Sequence, residues 1–119
     1  MSHISDKTVL VVEDEDEISE NMNALLLRKG YHVLNAVDAE GAIRIAEQSR
    51  PAMILTDLDL PTLVQLMEKL RRHDGLKHLP VAVIDINGPK NTMRDINILN
   101  NFEELDELVS AQSHGDILS

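Results

Sequence analysis

Carboxylate side chains follow three apolar segments of the chain, at the point where each segment ends. Glu13 and Asp14 follow residues 9–12, Asp57 and Asp59 follow residues 52–56, and Asp85 follows residues 81–84. Carboxylates brought close together repel one another unless a cation or hydrogen bonds compensate. The chain has no cysteine, and its histidines show no ligand spacing. A set of oxygen ligands of this kind favours a hard cation such as Mg²⁺.

A carboxylate beside such a cation can attack phosphorus and form an aspartyl phosphate. There is a plainer alternative for each acid taken alone. Asp14 or Glu15 can cap the first helix, and Asp57 can be a loop residue near a turn at Pro61. Capping does not predict which strands end in a carboxylate, so the recurrence at three strand ends favours a site.

The apolar segments alternate with helical patterns, which predicts βαβ units and a parallel sheet. The predicted strands cover residues 9–12, 31–36, 52–56, 81–84 and 96–99. The predicted helices cover residues 18–29, 39–50, 63–70 and 102–109, with at most a short helix at 90–95. Gly30 is placed to end the first helix, and Asp38 to cap the second. Because open α/β sheets bind ligands at the carboxyl ends of their strands, the acids lie at the expected edge.

Length and charge limit the possible functions. The chain of 119 residues fits a single domain, here 1–119, with a core at about 7–112 and a polar tail at 113–119. A net charge of −10 disfavours direct nucleic-acid binding, and Tyr31 and Phe102 are the only aromatic residues. We read Tyr31 as a packing residue. No apolar run is long enough to span a membrane and no signal peptide is evident, so we expect a cytoplasmic protein.

Five segments together resemble the receiver domain of response regulators in two-component signalling. They are VLVVEDE at 9–15, RKGYHV at 28–33, AVDAEGA at 36–42, RPAMILTDLDLP at 50–61 and HLPVAVI at 78–84. The resemblance implies a flavodoxin-like (βα)₅ fold with a five-stranded parallel sheet of order 2-1-3-4-5. It also implies that the domain is a phosphorelay module and not a conventional enzyme, although it can catalyse its own phosphorylation and dephosphorylation.

The resemblance assigns a role to each acid in turn. Asp57 would accept a phosphoryl group from a sensor histidine kinase or a histidine phosphotransfer protein. Asp14 and Asp57 would bind Mg²⁺ directly, Glu13 through a water and Asp59 through its backbone carbonyl. The phosphorylated domain would then act on a downstream protein partner by contact.

Two positions depart from the family pattern. Asp85 stands where the family has Thr or Ser, and Asn100 where it has Lys, so the hydroxyl and the ammonium that contact the phosphoryl group are missing. The short stretch between them leaves little room for a full fourth helix. The sequence therefore favours an atypical receiver. The alternatives are a pseudo-receiver that binds proteins independently of phosphorylation, and a small Mg²⁺-dependent phosphohydrolase, for which a general acid is lacking.

Overall fold

The computed structural model describes residues 8–57, 60–84 and 96–99. Within these ranges strands and helices alternate along the chain. The elements are β1 (Thr8–Val12), α1 (Asp16–Arg28), β2 (His32–Ala36), α2 (Ala39–Ser49), β3 (Met53–Thr56), α3 (Leu60–Arg72), β4 (Val81–Ile84) and β5 (Ile96–Leu99).

The five strands form one parallel sheet of order β2-β1-β3-β4-β5. This confirms the fold class and strand order expected from the sequence. The predicted short helix at 90–95, the predicted last helix at 102–109 and the shortening around the fourth helix fall outside the described residues.

Strands β1 and β3 are buried on both faces of the sheet because their side chains alternate between two apolar layers. One layer joins Leu10, Val12 and Ile54 to the inward faces of α2 and α3. The other joins Val9, Val11, Met53 and Leu55 to α1 and to Tyr31. Tyr31 is 7% exposed, which confirms its reading as a packing residue.

The helix ends follow local chemistry. The Asp38 carboxylate caps α2 as predicted, accepting a hydrogen bond of 2.8 Å from the Gly41 amide. Helix α3 begins at Leu60, before the predicted start at Leu63. Pro61 is compatible with that earlier start because a proline in the first turn gives up only an amide that has no helical partner.

A side-chain pair that the sequence did not suggest joins α2 to the segment after α3. The His73 Nε2 atom lies 2.5 Å from a carboxylate oxygen of Glu47. The Gly75 amide donates to His73 Nδ1 at 3.2 Å. Because Nδ1 accepts from Gly75, Nε2 is the ring nitrogen that can donate a proton to Glu47. Of the helices described, none is long and apolar enough to cross a membrane.

Gly30 provides a test of the predicted helix end, since it has a φ of 92° and no atom within 4 Å of an added Cβ. The cost of a side chain there is therefore one of backbone conformation. Gly30→Ala is expected to lower the free energy of unfolding by about 1 kcal/mol. Gly30→Asn is expected to lower it less, because Asn tolerates the left-handed region. Urea denaturation of the two variants measures the difference, and equal losses would contradict it.

Candidate functional site

The candidate site lies where β1 and β3 end side by side. The two strands pair in register up to Val12, which lies opposite Thr56. Glu13 and Asp57 are therefore the first residues beyond the two strand ends. Strand β4 continues the same edge, with Val83 opposite Thr56. The parallel ladder therefore brings two of the predicted acids to adjacent strand ends, as the sequence argument required.

Glu13 is held tightly at this edge. Its amide donates to the Ala36 carbonyl at the end of β2 over 3.0 Å, and its Oε2 accepts from the Glu15 amide at 3.1 Å. The residue is 5% exposed. Among the described residues, its Oε1 is a buried oxygen with no hydrogen-bond partner.

This environment raises the pKa of the Glu13 carboxyl above its usual value. Burial makes the largest contribution, because it disfavours the charged form. The amide of Glu15 lowers the pKa, while the neighbouring carboxyls of Asp57 and Asp14 raise it. Glu13 is thus a buried acid with other acids close by. A cation near Oε1 would offset both the cost of burying its charge and the repulsion from the neighbouring carboxylates.

Asp14 and Asp57 differ from Glu13 in being exposed, which leaves them accessible to solvent and to a partner. Within residues 8–57, 60–84 and 96–99, no three His, Cys, Asp or Glu side chains converge as a ready set of metal ligands. Asp59, Asp85 and Asn100 lie outside those ranges. The described part of the site is therefore one buried and two exposed carboxylates.

The capping alternative is not supported for Glu15. It occupies the N-cap position of α1, but its side chain makes no capping hydrogen bond. The acids of the first helical turn, Asp16 and Glu17, favour the helix through its dipole and not through a cap.

Thr56 is a contributor that the sequence argument missed. Its side chain is fully buried, and its hydroxyl donates to the Val12 carbonyl at 2.7 Å. The available signal was a hydroxyl residue at the end of an otherwise apolar strand, directly before Asp57.

A family comparison agrees with this geometry. The model of the response regulator receiver domain matches residues 9–101. The chain belongs to the receiver-domain family. Receiver domains are signalling modules and not conventional enzymes, which agrees with the sequence expectation.

Known relatives and structures are similar to this receiver domain over more than half of its length. The alkaline phosphatase synthesis regulatory protein PhoP of Bacillus subtilis is 38% identical over 68 residues, covering 56% of this chain and 28% of that protein. The receiver domain of the hybrid histidine kinase CckA is 29% identical with a TM-score of 0.65, covering 88% of this chain and 97% of that one. The first curated relatives are thus much longer than this chain, which matches 28% to 35% of their length.

A third comparison concerns the metal. The receiver domain of the sensor histidine kinase PA1611 of Pseudomonas aeruginosa PAO1 has a TM-score of 0.70 at 23% identity. It covers 88% of this chain and 95% of that one, and its structure holds a magnesium ion in the active-site cleft. At this identity the likeness shows a shared fold.

The charge on Glu13 gives a stability prediction for the metal-free receiver. The raised pKa means that the fold favours the protonated carboxyl of Glu13. The stability that this carboxyl contributes is therefore fully present at a pH below its usual pKa of 4.5, and it is lost as the pH rises. Glu13→Gln keeps the shape without the charge. At pH 7 the variant is expected to have a higher free energy of unfolding than the wild type, and the difference should vanish at acidic pH.

Urea denaturation in EDTA, from a pH below the usual Glu pKa of 4.5 up to neutral pH, measures this difference. Asp16→Asn serves as the control, because Asp16 is an exposed acid in the first turn of α1. A Glu13→Gln variant that is less stable than the wild type at pH 7 would show that the buried charge is compensated in the fold.

Proposed function

We propose that this receiver domain accepts a phosphoryl group on Asp57 from a sensor histidine kinase or a histidine phosphotransfer protein. The observation that carries the proposal is the pairing of β1 with β3, which sets Asp57 at the strand end next to the buried Glu13. Asp57 is exposed at that end, as a nucleophile that meets a large donor protein must be.

The chemistry assigned to Asp57 is a displacement at phosphorus. A carboxylate oxygen of Asp57 attacks the phosphorus of a phosphohistidine, a P–O bond forms, and the P–N bond to the donor imidazole breaks. The imidazole leaves with the bonding electron pair and takes up a proton. Water later attacks the acyl phosphate and releases inorganic phosphate, which restores the carboxylate.

Mg²⁺ fits the donor set of this pocket. The buried Glu13 Oε1, which has no hydrogen-bond partner within the described part of the chain, is an oxygen that suits a water of a hydrated cation. We assign Asp14 and Asp57 as direct ligands, Glu13 as a ligand through water and Asp59 as a ligand through its backbone carbonyl. When bound, the ion neutralises charge on the nucleophile and the phosphoryl group. Mg²⁺ commonly takes only one or two carboxylates beside water and phosphate, so a converged set of three is not required.

Charge supports the choice of partners. The chain carries −10, and acids 14–17 at the start of α1 are all exposed. Such a surface attracts basic partner surfaces and repels nucleic-acid backbones. We therefore assign protein partners to this domain, a kinase or phosphotransfer protein upstream and a further protein downstream. We also propose that it works in the cytoplasm.

Phosphorylation with a small-molecule donor tests the acceptor. Incubation with acetyl phosphate and Mg²⁺ is expected to give a slower band on a Phos-tag gel, because Asp57 alone suffices as the nucleophile. Asp57→Asn and EDTA are each expected to abolish the band. Asp16→Asn, which removes an exposed acid of α1, is expected to keep it.

The same gel separates this proposal from its competitors. A wild-type protein that never shifts, or a shift that persists in Asp57→Asn, would rule out Asp57 as the acceptor. Steady release of phosphate from simple phosphate esters would instead indicate the phosphohydrolase.

A pseudo-receiver remains the second candidate, and a specific observation favours it. Asp85 and Asn100 replace the hydroxyl and the ammonium that the family uses to contact the phosphoryl group. A carboxylate cannot donate that hydrogen bond and repels the added charge. In this candidate, partners bind with the same affinity whether or not Asp57 is modified.

Restoring the hydroxyl and the ammonium tests whether their replacement weakens the conformational response to phosphorylation. With beryllofluoride and Mg²⁺, the wild type is expected to show NMR shift changes confined to the metal site. The double variant Asp85→Thr, Asn100→Lys is expected to extend these changes to β4 and β5, because both contacts to the phosphoryl group become available. Changes that reach β5 in the wild type would show that it switches with its own residues.

A further inference from the structure

We propose that the Thr56 hydroxyl is a positioning group, which clamps the Val12–Glu13 peptide and so fixes Glu13 beside Asp57 for the acceptor chemistry. The inference rests on the proposed function of Asp57. It assigns a role in that function to a residue that touches neither the ion nor the phosphoryl group.

The peptide group between Val12 and Glu13 is hydrogen-bonded at both its carbonyl and its amide. Thr56 Oγ1 donates to the Val12 carbonyl at 2.7 Å, and the Glu13 amide of the same peptide donates to the Ala36 carbonyl at 3.0 Å. The peptide is therefore bonded on one side to β3 and on the other to β2. Bonds in such a chain polarise one another, so weakening the first also weakens the second.

This peptide lies at the point where the pairing of β1 with β3 ends. The paired register of β1 and β3 reaches its last residues at Val12 and Thr56. Beyond that point the carboxyl groups of Glu13 and Asp57 follow adjacent strand ends, where like charges repel one another. The clamp therefore acts at the place where the ladder has ended and repulsion begins.

A hydroxyl at this position needs a reason, because the rest of β3 is apolar. Thr56 is fully buried, and β3 is otherwise made of Met53, Ile54 and Leu55. Valine has nearly the same shape and needs no partner, whereas a buried hydroxyl must be hydrogen-bonded to offset its desolvation. Packing alone would be satisfied by valine, so the hydroxyl is explained by the bond it makes to β1.

The test exchanges the hydroxyl for a methyl group. Thr56→Val keeps the shape and removes the bond, Thr56→Ser keeps the hydroxyl, and Thr8→Val makes the same exchange at the opposite end of β1, where Thr8 is also buried. Each protein is titrated with Mg²⁺ and then phosphorylated with acetyl phosphate. Thermal unfolding of the same samples confirms that each variant is folded.

In Thr56→Val, Mg²⁺ binding is expected to weaken by about tenfold, as for the loss of an outer-shell partner. The rate of phosphorylation at limiting Mg²⁺ should fall with it. The Glu13 amide proton is expected to move upfield and to exchange faster with solvent. Thr56→Ser should restore all three properties, and Thr8→Val should leave them unchanged.

Separate outcomes overturn the two proposals. If the wild type is phosphorylated on Asp57 but Thr56→Val matches it in Mg²⁺ affinity, rate and Glu13 amide shift, the positioning role is wrong and the proposed function stands. If the wild type is not phosphorylated, the proposed function is wrong, and the role of Thr56 in that reaction is wrong as well. Failure of Thr56→Ser to rescue the valine variant would also contradict a role for the hydroxyl.

Discussion

The site depends on the parallel, in-register pairing of β1 with β3. This pairing places two acids next to one another that are far apart along the chain, Glu13 and Asp57. A slip of one residue would move every β3 side chain into the opposite apolar layer and would set Asp57 out of line with Glu13, because side chains alternate between the faces of the sheet. The register therefore fixes the spacing of the acids.

The same arrangement is unfavourable for the metal-free fold. Glu13 is buried with one oxygen unpartnered among the described residues, and its pKa is raised by burial and by the neighbouring acids. The sheet tolerates this because β1 and β3 are fully buried in apolar contacts on both faces. Local electrostatic strain of this kind is common where a site is kept ready for a cation or a charged substrate.

The strands and most helix ends were predictable because their causes are local. Continuous apolar runs indicated β1, β3 and β4, while Gly30 and Asp38 marked helix ends by their own conformation and side chain. The sequence signalled an unusual hydroxyl at Thr56, but neither its acceptor nor the burial of Glu13 was predictable, since both depend on which strands become neighbours. The family resemblance supplied the strand order, because periodicity contains no information about it. The roles given to the site residues all stay predictions, for Glu13, Asp14, Asp57, Asp59, Asp85 and Asn100.

Accepting a phosphoryl group and responding to it place different demands on the chain. In the proposed function, acceptance needs a nucleophile and a cation that compensates the negative charge at adjacent strand ends. The proposal gives the first role to Asp57 and the binding of the cation to Glu13, Asp14 and Asp57, all within the first half of the sequence. A response requires that the phosphoryl group bind one conformation better than another, since a modification shifts an equilibrium only by that difference. The family resemblance sets Asp85 and Asn100 where a hydroxyl and an ammonium would supply two sources of that difference. On the proposed function, the acceptor site therefore operates without an equally strong conformational switch.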